Sequence, residues 1–153
     1  MDFVSTYKTN RLLQGDVIYA LYEDLHHNIW VGTSQGLKQL NPQTQKVRKY
    51  TISDGLPSNS ISAIEGDANG NLWISTNFGI SRFNPSTQTF VNFYASDGLQ
   101  GNEFSKGVSF ASTKGEIIFG STSGITYFNP GEITSPNKNR KYALQTFTCT
   151  IKR

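Results

Sequence analysis

The chain has 153 residues, enough for one domain of ordinary size, with 36% hydrophobic and 12% aromatic residues and a net charge of +3. The charge is lopsided: residues 1–130 hold nine Lys/Arg against ten Asp/Glu, while Lys138, Arg140, Lys141, Lys152 and Arg153 face only Glu132 afterwards. A near-neutral body argues against a nucleic-acid partner, the lone Cys149 excludes an intramolecular disulfide, and no apolar run approaches membrane-spanning length.

Taken in chain order, residues 1–14 read as a remnant outer strand and linker. Val4 and Tyr7 lie 43 residues before Val47 and Tyr50, and Leu13 lies 43 before Leu56. Residues 15–57 form a first full unit. They carry Ile29-Trp30-Val31-Gly32-Thr33, then Gly36-Leu37, then Asn41-Pro42. Residues 58–100 repeat it at an offset of 43 without a gap: Trp30 maps to Trp73, Gly36 to Gly79, Pro42 to Pro85 and Asp54 to Asp97. Residues 101–131 form a third unit at an offset of 45, in which Gly79 maps to Gly124, Asn84-Pro85 to Asn129-Pro130 and Trp73 to Ile118. This unit is expected to lack its own outer strand. Residues 132–153 read as a linker and the first strand of a following domain.

Each unit predicts four short strands. In the second these are Ile61–Glu65, Leu72–Thr76, Ile80–Asn84 and Thr89–Tyr94. Asp67-Ala68-Asn69-Gly70-Asn71 supplies turn chemistry between the first two. Gly36, Gly79 and Gly124 stand where a hairpin needs positive φ. No segment shows a 3.6-residue apolar period, so essentially no helix is expected.

The second strand is apolar without alternation, as in Leu72-Trp73-Ile74 and Ile117-Ile118-Phe119. Both of its faces must be covered, which calls for a sheet packed between neighbours. Four-stranded antiparallel sheets at a 43-residue period, each covered on both sides, describe an all-β propeller. About three blades are present, so the propeller is incomplete, and its uncovered end faces are expected to drive self-association into a homo-oligomer.

These residues resemble a known repeat. The stretches Asn-Ile-Trp-Val-Gly-Thr (28–33) and Asn-Leu-Trp-Ile-Ser-Thr (71–76), each followed by Gly-Leu or Gly-Ile and Asn-Pro, resemble the two-component regulator propeller repeat, as does the linker Asp54-Gly55-Leu56-Pro57-Ser58-Asn59. That family occurs in extracytoplasmic sensor regions of bacterial hybrid two-component histidine kinases. The third unit is similar to the last blade of such sensors, and Tyr142–Lys152 to the first strand of the tyrosine-rich immunoglobulin-like domain that follows it. The resemblance implies a periplasmic fragment of an inner-membrane receptor, without membrane contact of its own. It would detect an extracellular ligand, in the family often an oligosaccharide, and relay it to a kinase. The alternative is a non-sensing structural or protein-binding propeller that mediates dimerisation.

Ligand contact on propellers gathers at one rim, where the second-to-third strand loops meet the blade-to-blade links. Phe78 is an aromatic where its counterparts are Gln35 and Ser123, and it is expected to stack on a sugar ring. Asn77, Asn59, Asn102 and Glu103 would offer hydrogen bonds. Trp30 and Trp73 sit in the most apolar strand and are expected to fill the core. Asp67–Asn71 begins like a calcium loop, but Phe78 stands where a bidentate Glu is needed. His26 and His27 are adjacent on an extended chain and point apart. No metal site, cofactor or catalytic constellation is expected.

Overall fold

The computed structural model describes residues 15–133 and the strand Gln145–Thr148. The described strands are β1 (Ile18–Glu23), β2 (Ile29–Thr33), β3 (Gly36–Leu40), β4 (Val47–Tyr50), β5 (Ile61–Gly66), β6 (Leu72–Thr76), β7 (Gly79–Asn84), β8 (Thr89–Phe93), β9 (Ser109–Ala111), β10 (Ile117–Ser121), β11 (Gly124–Phe128) and β12 (Gln145–Thr148). They form three four-stranded sheets, β1–β4, β5–β8 and β9–β12, with neighbours in chain order and every pair antiparallel. Helical structure among the described residues is limited to the 3₁₀ turns Ile52–Asp54, Ala95–Asp97 and Pro130–Glu132.

Three polar devices set the turns, the first two in all three blades and the third in the first two. The first joins the first two strands. One oxygen of Asp67 accepts from the backbone N–H groups of Asn69 and Asn71, both at 2.9 Å, and the other accepts from the indole Nε1 of Trp73 at 2.9 Å. Asp24 does the same with His26, Asn28 and Trp30. The third blade has Ser112, whose hydroxyl accepts from Lys114 N and Glu116 N, and Ile118 replaces the tryptophan. An acceptor two or four residues from its donors fixes the turn before any tertiary contact forms.

The second device closes the next hairpin. Thr76 Oγ1 donates to the carbonyl of Gly79 at 3.0 Å, as Thr33 does to Gly36 and Ser121 to Gly124. Gly79 has φ 100°, and a Cβ there would lie 2.4 Å from the Phe93 carbonyl oxygen, so glycine is required. The third device is Asn41 or Asn84, whose Oδ1 accepts from the N–H groups two and three residues on.

Alternation along β6 assigns its side chains to two interfaces. Leu72 and Ile74 face the first blade, joining Trp30, Leu37, Tyr50, Ile61 and Phe83 in one core. Trp73 faces the third blade, with Ile80, Phe93, Ile117, Phe119 and Phe128. All of β6 is buried, as its unbroken apolarity predicts. Burying each such aliphatic side chain stabilises by about 1.5–3 kcal/mol. Ring geometry adds to this: Trp30–Phe83 is edge-on at 5.6 Å, and Trp73–Phe128 is tilted at 4.6 Å. Trp30 and Trp73 are 0% and 1% exposed, so they are core residues rather than a sugar platform.

One arrangement departs from expectation. The third blade has an outer strand, because Gln145–Thr148 pairs antiparallel with β11 in the register Gly124↔Thr148 to Tyr127↔Gln145. The sequence assigns this segment to the start of a following domain. The edge of β11 offers unpaired backbone donors and acceptors, and an extended segment downstream satisfies them. The expected remnant strand at 1–14 and the linker segments 134–144 and 149–153 lie outside the described residues.

Candidate functional site

The candidate residues lie at the rim formed by the β6–β7 hairpin and the blade-to-blade links. Thr76 Oγ1 accepts from Phe78 N at 2.9 Å, and this turn throws the Phe78 ring outward, 54% exposed. Asn77 is exposed beside it, and its N–H donates to the carbonyl of Ser60 at 3.3 Å. On the other side, Gly79 N donates to the Asn102 carbonyl at 2.6 Å, and Phe104 N donates to the Thr76 carbonyl at 3.2 Å. Phe104 is buried and Glu103 next to it is exposed. The hairpin is therefore clamped between two links by backbone hydrogen bonds, which bring Phe78, Asn77, Asn102 and Glu103 to one edge and put Asn59 next to Ser60.

Two of the five candidates have a structural task. Asn59 Oδ1 accepts from Ile52 N at 2.9 Å, and Asn102 Oδ1 accepts from Ala95 N at 2.7 Å. Each link thus folds back on itself across seven residues. Asp54 and Asp97 complete the same links by accepting from Thr51 N and Tyr94 N. The carbonyl oxygens of both asparagines are committed to the links, which limits them as ligand acceptors.

Sequence reasoning missed Tyr94. Its ring lies 5.7 Å from that of Phe78, inclined by 56°. At the 43-residue offset Tyr94 corresponds to Thr51, as Phe78 corresponds to Gln35. Among the described residues the second blade alone places two aromatic side chains here, and comparing the repeats position by position reveals it.

The opposite rim holds a repeated groove. A cavity of about 240 Å³ lies between the first two blades, lined by Tyr22, Asp24, His26, Asp67 and Asn84 among others. Its counterpart between the second and third blades measures about 250 Å³ and includes Asp67, Ser112, Lys114 and Asn129. Burial and the charges of Glu65, Asp24 and Asp67 push the Tyr22 hydroxyl above its ordinary pKa. For Asp24, burial pulls upward, but the hydrogen bonds from Trp30, Asn28 and His26 outweigh it and hold the carboxyl low. His26 and His27 belong to this rim, and His27 Nδ1 meets Glu23 Oε1 at 2.6 Å in solvent. Among the described residues no three metal-ligating side chains converge.

Comparison with known proteins bears on the same segment. Residues 55–78 match the family model of the two component regulator propeller, a stretch that runs from the first link to Phe78. None of the curated proteins compared with the chain matches it significantly. Among solved structures, the extracellular domain assigned to the hybrid two component system BT3049 from B. thetaiotaomicron is similar at 20% identity and TM-score 0.68, over 86% of this chain and 17% of that one. The extracellular domain of BT4673 from the same organism, described as a one component system, gives 21% and 0.68 over 87% and 18%. A virginiamycin B lyase from Staphylococcus aureus gives 12% and 0.66 over 94% of this chain and 45% of that one. At these identities the likeness establishes the propeller fold. The chain spans less than a fifth of the length of the first two structures.

Proposed function

We propose that this chain belongs to the sensor region of a two-component signalling receptor. In this reading it faces the periplasm, detects an extracellular ligand and relays its presence to a kinase. The observation that carries the reading is the match of residues 55–78 to the two component regulator propeller, a segment ending on the exposed Phe78. The extracellular placement of the similar B. thetaiotaomicron domains supports it.

The ligand we propose is an oligosaccharide. Phe78 and Tyr94 form an inclined aromatic pair open to solvent at Phe78, with Asn77 and Glu103 exposed at its edge. A pyranose presents an apolar C–H face to such a ring and hydroxyls to the polar rim. Calorimetric titration of the chain with a panel of oligosaccharides tests this. Phe78→Ala is expected to weaken a binding saccharide about threefold to tenfold, the worth of one aromatic contact of about 0.5–1.5 kcal/mol. No binding across the panel, or binding indifferent to Phe78→Ala, would sink the site.

A second reading, a structural propeller that mediates dimerisation, draws on the apolar side chains left exposed on the outer faces of the first and third blades.

A further inference from the structure

The first strands of the three blades converge, since β5 packs on both β1 and β9. Two side chains at this convergence depart from the repeat. Tyr19 of β1 corresponds to Ser62 and Gly107 at the 43- and 45-residue offsets, so one blade has a ring where the others have a small residue. Lys106 corresponds to Ile18 and Ile61, so one blade has a cation where the others have isoleucine. The two departures meet: Lys106 Nζ lies 3.8 Å from the centroid of the Tyr19 ring. This contact joins the third blade to the first past the middle one. In a propeller that happens only where the first strands surround the axis.

The segment that carries Lys106 is fastened to the second blade. Gly107 N donates to the Ser62 carbonyl at 2.8 Å, and Ser62 Oγ donates to the Phe104 carbonyl at 2.9 Å. A Cβ on Gly107 would lie 3.7 Å from the Tyr19 carbonyl oxygen, so the backbone of the third blade itself runs close to β1. The ring face steadies the ammonium but accepts none of its N–H groups as a carboxylate would. Among the described residues the ion pairs are His27–Glu23 and Lys38–Asp16, so no described carboxylate, Glu103 included, neutralises Lys106. The strands β1, β5 and β9 carry no Lys or Arg of their own.

Lys106 also adjoins the Phe78 rim. Phe104 N is bonded to the Thr76 carbonyl at the base of the Phe78 hairpin. Lys106 comes two residues later, about 7 Å along an extended chain. Adjoining units of one saccharide span that distance.

We infer that Lys106, steadied on Tyr19, receives an acidic group of the ligand, which makes that ligand an acidic oligosaccharide. The inference rests on the oligosaccharide reading of the Phe78 rim. An ammonium with its N–H donors free bonds a carboxylate or a sulfate ester more strongly than a neutral hydroxyl.

Calorimetric titration of the full chain tests this with a panel of uronate-containing and sulfated oligosaccharides, each beside its carboxyl-reduced or desulfated counterpart. At least one acidic member is expected to bind about tenfold tighter than its neutral counterpart, the worth of one charge-assisted hydrogen bond. Lys106→Met is expected to remove that preference, and Lys106→Arg to keep it. Added salt is expected to narrow the preference in the unaltered chain, a readout that needs no variant. Phe78→Ala is expected to weaken acidic and neutral members alike. Neutral members that bind as tightly as their acidic partners, or a preference that survives Lys106→Met, overturn the inference and leave the oligosaccharide reading standing. No binding by any member, acidic or neutral, overturns both.

Discussion

The indole Nε1 of Trp73 donates to Oδ2 of Asp67 at 2.9 Å, six residues back in the chain. This bond couples a surface turn to the largest side chain of the core. The same pair recurs between Trp30 and Asp24 at 2.8 Å.

Asp67→Ala removes the acceptor for four donors at once, Asn69 N, Asn71 N, Asn71 Nδ2 and Trp73 Nε1, and leaves the N–H of a 1% exposed indole without a partner. The expected cost is about 2–4 kcal/mol, since stranding a buried donor forfeits its full desolvation penalty. Ser112→Ala is expected to cost about 1 kcal/mol or less, because Ser112 supports a turn and no tryptophan. Urea unfolding followed by tryptophan fluorescence measures both.

Gly79→Ala sets a left-handed φ of 100° against a carbonyl oxygen 2.4 Å from the new Cβ. Gly70→Ala has a similar φ of 79° but open space around the new methyl. The second is expected to cost about 1–2 kcal/mol for backbone strain alone. The first adds a steric clash and is expected to cost at least twice that. Thermal unfolding of the two variants separates strain from collision.

Lys38, 3% exposed in β3, pairs with Asp16 at 2.5 Å, and Thr33 Oγ1 lies 3.2 Å from the same carboxylate. The hydrogen bond from Lys38 holds the Asp16 carboxyl below its ordinary range. A depressed carboxyl contributes stability above its unfolded pKa and loses it as pH falls. Asp16→Ala is therefore expected to cost about 3–5 kcal/mol at neutral pH, by stranding the buried ammonium. The difference from wild type should hold down to about pH 5 and shrink below about pH 4. Chemical denaturation across that range reads it.

Phe78→Ala is expected to change stability by less than about 1 kcal/mol, and Phe93→Ala to cost about 3–5 kcal/mol. Both rings belong to the second blade, but Phe93 is 1% exposed and Phe78 54%. Differential scanning calorimetry distinguishes them. A large loss for Phe78→Ala would recast that ring as a packing residue.

Much of the fold was legible because its determinants are local. Leu72–Thr76 is predicted and found with the same bounds, since Asp67 and Gly79 punctuate it at both ends. The burial of Trp30 and Trp73 follows from their unalternating strands. The site was less legible. Asn59 and Asn102 look like ligand contacts in the sequence, but each spends its carbonyl oxygen on a link folded across seven residues. Tyr94 joins Phe78 only because β8 runs beside β7, which no motif announces. The pairing of Gln145–Thr148 with β11 was hidden because strand partners over a long connection depend on which edge is vacant.

That last pairing bears on the order of folding. In every other strand pair among the described residues the partners follow one another after a short turn, so each blade zips up by closing small loops. The third blade must instead capture its outer strand across residues 129–144. Loop closure over such a length is slower to form and earlier to open. Amide hydrogens of β11 that face Gln145–Thr148 should exchange with solvent ahead of their counterparts in β3 and β7, so the stack would fray from its third blade inward.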